Sequence, residues 1–325
     1  MKILVIGAAG MVGRKLVERL IRDSALGGAK IDSLDAVDIV TPSFAEAPFP
    51  IRCDACDIAA TYVPGRLAAA RPDVIFLLAS VVSGEAEADF DKGYGINLDG
   101  TRMILEALRH QQALSGCAYT PRVVFTSSIA VFGAPFPEKI HDEFFSTPLT
   151  SYGTQKAICE LLLSDYSRRG FLDGIAIRLP TICVRPGKPN KAASGFFSNI
   201  IREPLAGLPA VLPVDDDVRH HHASPRAAVN FLLHAATMDL TQLGARRALT
   251  MPGVSVTVAE QIEALRRVGG EKAVALIKRE PDETIRRIVT GWPRQFDAKR
   301  AESLGFRAES DFDAIIRAHI EDEHV

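Results

Sequence analysis

The sequence predicts an α/β fold in which a doubly wound parallel sheet is joined to a smaller C-terminal lobe. Three observations carry the prediction. Short, β-branched apolar runs suited to burial on both faces recur along residues 1–180 and alternate with segments of helical period. A glycine-rich turn joins the first of these runs to the first helix. At 325 residues the chain exceeds the usual size of a single core, so one large domain plus a lobe is the natural division.

The first run, Lys2-Ile3-Leu4-Val5-Ile6, leads into Gly7-Ala8-Ala9-Gly10-Met11-Val12-Gly13, after which Val12, Leu16, Val17, Leu20 and Ile21 share one helical face. In such a strand–turn–helix, Gly7 permits the tight turn and Gly10 lets a pyrophosphate approach the backbone N–H groups of the helix start at Met11 and Val12. Gly13 lets the helix pack close to the strand. The Rossmann-like cradle so formed takes a dinucleotide. The next strand, Leu34–Asp38, ends in a carboxylate placed to accept hydrogen bonds from ribose hydroxyls and to repel the 2′-phosphate of NADP, so Asp38 favours NAD. Asp35 is a rival for the role, and Arg14 belongs to the helix surface.

Composition bounds the partners. With 47% hydrophobic and 24% charged residues and a net charge of −2, the chain is an ordinary globular protein with no electrostatic pull toward nucleic acid or anionic lipid. No apolar run is long enough to span a bilayer, and the chain starts directly on a core strand; five scattered cysteines suggest reduced thiols, and together these predict a cytoplasmic protein. Cys53 and Cys56 have redox or zinc spacing, yet no second cysteine or histidine pair follows at the right interval. The triplet His220-His221-His222 invites a metal, but adjacent strand residues point to opposite faces and no carboxylate accompanies them, so no metal is expected.

Two later stretches point to catalysis. A buried strand, Arg122 to Ser128, ends in hydroxyl residues. Tyr152 and Lys156 in Tyr152-Gly153-Thr154-Gln155-Lys156 share a helical face, so the ammonium can lower the proton affinity of the phenol. Ser128 precedes Tyr152 by 24 residues. A glycine turn of the form G-x-x-G-x-x-G, the Ser128…Tyr152-x-x-x-Lys156 set and Val131-Phe132-Gly133 together resemble the extended short-chain dehydrogenases, the epimerase/dehydratase-like branch. The resemblance covers nearly the whole chain, and its register selects Ser128 over Ser127. Phe132 departs from the tyrosine that many sugar-nucleotide enzymes carry there.

The resemblance implies an NAD-dependent oxidoreductase with Ser128, Tyr152 and Lys156 as catalytic residues. It implies Asp54 and Ala55 at the adenine, Leu78, Ala79 and Asn97 along the cofactor, and Pro180 and Ile182 at the nicotinamide end beside Tyr152 and Lys156. Residues 1–180, with 223–247 returning, would form the NAD-binding domain, and 181–222 and 248–325 the substrate lobe. Loop matches at Ser83-Gly84-Glu85, Arg185-Pro186-Gly187-Lys188-Pro189-Asn190 and Ser224-Pro225-Arg226 narrow the likeness to members that oxidise the C2 hydroxyl of a short sugar acid. Ser83, Ser128, Tyr152, Arg185, Lys191 and Arg219 would then bind that small anionic substrate. A homodimer through two helices is common in such relatives. The alternatives are a nucleotide-sugar epimerase or dehydratase retaining NAD and, from another class, a non-catalytic dinucleotide sensor or scaffold.

Overall fold

The computed structural model describes residues 1–187 and 193–324. They fall into two compact units, one of Met1–Val131, Thr150–Arg178 and Val229–Leu249, the other of Phe132–Leu149, Leu179–Ala228 and Thr250–Val325. The sequence-based division kept residues 132–149 with the first body, whereas in the structure they pack with the second unit. There Ile140 and His141 pair in parallel with Phe296 and Asp297, and the Phe132 ring packs at a tilt against those of Phe144 and Phe296. These long-range partners leave no local signal in the sequence.

A seven-stranded sheet organises the first unit. In chain order its strands are β1 (Lys2–Ile6), β2 (Ser33–Asp38), β3 (Ile51–Ala55), β4 (Val74–Leu77), β5 (Arg122–Ser128), β6 (Asp173–Leu179) and β7 (Ala248–Thr250). Across the sheet they run β7-β6-β5-β4-β1-β2-β3. The pairs β1–β2, β1–β4, β2–β3 and β4–β5 are parallel, and their registers bring Ile6, Val37, Leu77 and Phe125 side by side at one edge. Strand order reverses between β1 and β4, so their C-terminal ends flank the crevice where open sheets of this kind take ligands.

Four helices matter for the site: α1 (Met11–Asp23), α2 (Val63–Ala69), α3 (Thr101–Leu114) and α4 (Ser151–Arg168). Alternate residues Leu4, Ile6, Ile75, Leu77, Val123 and Phe125 join Leu67 of α2, Ile104, Leu105 and Leu108 of α3 and Leu163 of α4 in one core. The intervening Ile3, Val5, Val74, Phe76 and Val124 are buried as well. Both faces of the sheet are therefore covered, which explains the near-continuous apolar strands.

Two boundaries are set by local backbone geometry. Helix α1 stops at Asp23, because Ser24 turns left-handed at φ 55° and gives its N–H to Leu20. Gly27 and Gly28, at φ 59° and 79°, form the turn of a small hairpin between Ala25–Leu26 and Ala29–Lys30, which needs positive φ at both central positions. Asn97 lies inside a π-helical stretch, Tyr94–Gly100, that runs straight into α3.

The second unit has its own core. Phe196, Phe197, Ile200 and Ile201 of the helix Gly195–Leu205 meet Val258, Ile262 and Leu265 of the helix Val258–Gly269 and Phe312, Ile315 and Ile316 of the helix Phe312–Glu323. Thr257 and Glu260 close a reciprocal capping box at the start of the middle helix, as their spacing predicts. A three-stranded sheet of Thr181–Ile182, Arg219–Ala223 and Val254–Thr257 completes the unit.

Candidate active site

The glycine turn is built as its sequence requires. Gly7 sits at φ 97°, and a Cβ there would lie 2.6 Å from the backbone nitrogen of Ala79 in the segment leaving β4. A Cβ on Gly13 would fall 2.0 Å from the Gly7 carbonyl oxygen, so only glycine lets α1 reach the turn. Gly10 differs. A side chain there would meet only that same oxygen, at 3.4 Å, so the protein's own packing does not demand glycine, and the open space is what an approaching pyrophosphate needs. The start of α1 has no acidic residue in its first turn and no side-chain cap, which leaves its positive end for an anion.

Asp38 completes this half of the site. Its carboxylate accepts the N–H of Ala9 in the glycine turn at 2.9 Å and that of Ile39 at 2.7 Å, at the tip of β2. Asp35 lies mid-strand and pairs with Arg52 at 2.9 Å, so it does not reach the turn. These donors and this carboxylate suit the diphosphate and ribose of a dinucleotide. Asp54 in β3 is held by Arg66 at 2.6 Å, with Ala55 exposed beside it. Leu78 and Ala79 both donate backbone N–H groups to Ile6, which folds the exit of β4 over the turn.

Strand β5 and helix α4 bring the reactive groups together. Thr150 caps α4 by accepting the N–H of Gly153 at 3.1 Å, and Glu87 accepts the N–H of Ser151 at 2.9 Å, so the helix starts just before Tyr152. Lys156, one turn on, is 2% exposed and donates to the Thr126 carbonyl of β5 at 2.9 Å. Its ammonium lies 5.6 Å from the centre of the half-buried Tyr152 ring and 4.7 Å from that of Phe125. Burial pushes Lys156 down to about 8, against the opposing pull of Cys159 and Glu160, so at neutral pH it keeps its proton.

The two serines at the end of β5 part company. Ser127 is buried and donates its hydroxyl to Glu160, which also grips Arg178 of β6 through bonds of 2.7, 2.9 and 3.1 Å. Ser128 is half-buried and accepts the Ala130 N–H at 3.1 Å, which leaves its own O–H to donate. A hydroxyl with that polarity can hold a substrate oxygen.

Asn97 was expected along the cofactor, but its side chain is saturated within the protein. Its oxygen accepts from the Ser80 hydroxyl and the Val81 N–H, both at 2.9 Å, and its amide donates to the Val81 carbonyl at 3.2 Å and to Gln155 at 2.7 Å. An amide has four such positions. Asn97 therefore acts as a clamp between the loop after β4 and α4, with no hydrogen bond left for a ligand. Ser83 opens the short helix Ser83–Ala88 beyond that loop, where Glu85 pairs with Lys92 at 2.5 Å. Sequence reasoning missed Glu87, Gln155, Glu160 and Arg178; the lone arginine closing an apolar strand was the available signal for the last pair.

In the second unit, buried Pro180 precedes Thr181 and Ile182, which pair with His222 and Ala223. Arg185 donates to the Ile182 carbonyl and to Ser194, both at 3.1 Å, and Arg219 donates to the Ser255 carbonyl at 2.8 Å and pairs with Glu260 at 3.1 Å. Lys191, with Lys188, Pro189 and Asn190, lies outside the described residues. The histidine triplet is core. His220 Nδ1 donates to the Pro293 carbonyl at 3.1 Å, so its Nε2 accepts from Thr181 at 2.6 Å, and its ring stacks on Phe197. Among the described residues there is no group of three or more His, Cys, Asp or Glu placed to hold a metal ion.

The model of the NAD dependent epimerase/dehydratase family matches residues 3–240. The chain belongs to that family. Membership brings NAD as the cofactor and agrees with the glycine turn and Asp38. Two relatives align over nearly their full length, each a D-erythronate dehydrogenase. The one from Cupriavidus necator is 44% identical, covering 99% of this chain and 98% of its own; that from Haemophilus influenzae is 42% identical, covering 99% of each. Among solved structures, a nucleoside-diphosphate-sugar epimerase from Agrobacterium tumefaciens is 63% identical at a TM-score of 0.97, covering 100% of this chain and 94% of that one. An L-threonine dehydrogenase from C. necator, 21% identical at 0.84 and covering 99% of this chain and 100% of that one, shares the fold. This family member is an NAD-dependent dehydrogenase of the extended short-chain type.

Proposed function

We propose that the protein oxidises the C2 hydroxyl of a short sugar acid such as D-erythronate to the 2-oxo acid, with the hydride passing to NAD. The observation that carries this reading is Lys156 lying beside the Tyr152 ring and bonded to β5, the strand that ends in Ser128, in a chain similar over its whole length to two dehydrogenases of that substrate. NAD supplies the hydride acceptor. Gly7, Gly10, Met11, Val12 and Gly13 would hold its pyrophosphate, Asp38 the adenosine ribose, Asp54 and Ala55 the adenine end. Leu78 and Ala79 would line it, and Lys156, Pro180 and Ile182 serve the nicotinamide ribose and ring. Asn97 contributes through Ser80 and Val81.

Tyr152, as phenolate, takes the proton of the C2 hydroxyl, Lys156 lowers that phenol's proton affinity, and Ser128 donates to the same oxygen. Ser83, Arg185, Lys191 and Arg219 are assigned to the acid, the cations to its carboxylate. The first unit is the NAD-binding body and the second the substrate lobe. We place the enzyme in the cytoplasm as a homodimer, and the exposure of Leu161 on α4, 72%, is consistent with a helix face for the second copy. No described helix is long and apolar enough to cross a membrane.

The test is NADH formation by purified protein over a panel of four- to six-carbon sugar acids and UDP-sugars. Turnover of D-erythronate or a near relative, reduced about 100- to 10,000-fold by Tyr152→Phe, is the expected result. Silence with every acid overturns the substrate. The 63% identical structure named an epimerase favours a second reading, in which the same hydride transfer is reversed on the other face of a nucleotide sugar. UDP-sugar interconversion without release of NADH would establish it.

A further inference from the structure

The chemistry assigned to Ser128, Tyr152 and Lys156 leaves a buried ion pair beside them unused. Glu160 is 4% exposed and one helical turn beyond Lys156 on α4, and Arg178 forks onto it from β6. Desolvation makes such a pair a poor source of stability, so a different service is to be sought for it. Ser127 of β5 donates to the same carboxylate. Three elements of the first unit thus meet at one oxygen pair: the strand that ends in Ser128, the helix that carries Tyr152 and Lys156, and the strand that leads to Pro180.

The charges around Lys156 are few. On its own helix it is faced by Glu160 and by Cys159, whose thiol burial pushes up to about 11 and so keeps neutral, with its S–H on the Asn97 carbonyl. From β5 come the Thr126 carbonyl and the Phe125 ring, and from one turn back the Tyr152 ring. Arg178 reaches Glu160 from β6. The carboxylate is thus paired with Arg178 and lies one helical turn from Lys156, near enough for its charge to act on both.

We propose that Glu160 is a positioning residue of the dehydrogenase: its charge, shared between Arg178 and Lys156, holds the Lys156–Tyr152 pair in its working protonation state, and its bond to Ser127 leaves Ser128 to face the reacting alcohol. The proposal rests on the dehydrogenase reading above.

Glu160→Gln tests it by keeping the shape and removing the charge. With the Glu160 charge gone the local potential becomes more positive, so Tyr152 and Lys156 both lose their protons more readily. The pH profile of kcat moves about one unit toward acid. The phenolate absorbance of Tyr152 in cofactor-free protein, read as the difference between E160Q and E160Q/Y152F, moves the same way. Arg178→Gln removes a positive charge from the same place and moves both toward alkali, which provides the test should E160Q not fold. The neutral pair E160Q/R178Q brings both back to the wild-type position. Ser127→Ala lowers kcat and leaves the profile in place. An unmoved profile and phenolate titration in E160Q and R178Q, or a double variant that fails to return, overturns the proposal. A shifted phenolate titration in a protein that turns over no sugar acid supports the role of Glu160 while removing the substrate reading.

Discussion

At the scale of single residues, hydrogen-bond polarity separates side chains that composition cannot. Ser127 and Ser128 are chemically identical neighbours, yet one donates its O–H to Glu160 and the other keeps its own to donate elsewhere. Ser128→Ala should therefore cost about 100-fold in kcat, with KM for NAD little changed, as steady-state kinetics would read. Asp38 is the other residue whose neighbours decide its role. Because its carboxylate bonds Ala9 of the glycine turn, Asp38→Ala should weaken NAD roughly tenfold or more and narrow the preference over NADP, measured by titrating each cofactor. The rival Asp35 is spent on Arg52, and nothing in the local pattern of β2 announces that.

Among the elements, α4 and the turn at α1 bear the most constraint. Helical spacing alone put Tyr152 and Lys156 on one face. It could not say that the π-helical stretch before α3 delivers Asn97 to Gln155 on α4 and to the loop after β4, since one extra residue per turn has no signature in the periodicity. Asn97→Ala would take its partner from the half-buried Val81 N–H and from the buried Gln155 oxygen. A loss of about 2 to 3 kcal/mol in stability is expected, with faster hydrogen exchange at Val81. Gly13→Ala drives a Cβ into the Gly7 carbonyl, so either stability falls by about 3 kcal/mol or α1 shifts and NAD binding is lost, which thermal melts with and without NAD distinguish.

For the molecule as a whole, the histidine triplet has a consequence in acid. Burial pushes His220 down to about 3, His221 to about 4, and His222 well below the ordinary value, so all three are neutral when folded and protonate when unfolded near 6.5. Unfolding takes up protons in that window, and stability is present above about 6.5 and lost progressively as pH falls toward 4. Tm measured from pH 7 to 4.5 should fall accordingly, and His221→Phe, packed against Phe296, should remove about one proton from the slope. The sequence by itself determined the doubly wound sheet, the glycine turn, Asp38 at a strand end and the register of Tyr152 with Lys156, because period, turn chemistry and spacing are local properties of a chain. Only the tertiary structure decided that the histidines are core, that residues 132–149 join the second unit, that Asn97 is saturated and that Glu160 links Ser127 to Arg178. Each of those facts is the choice of a partner distant in sequence, and burial makes that choice binding, because a polar group away from water must find its hydrogen bond in whatever the fold brings beside it.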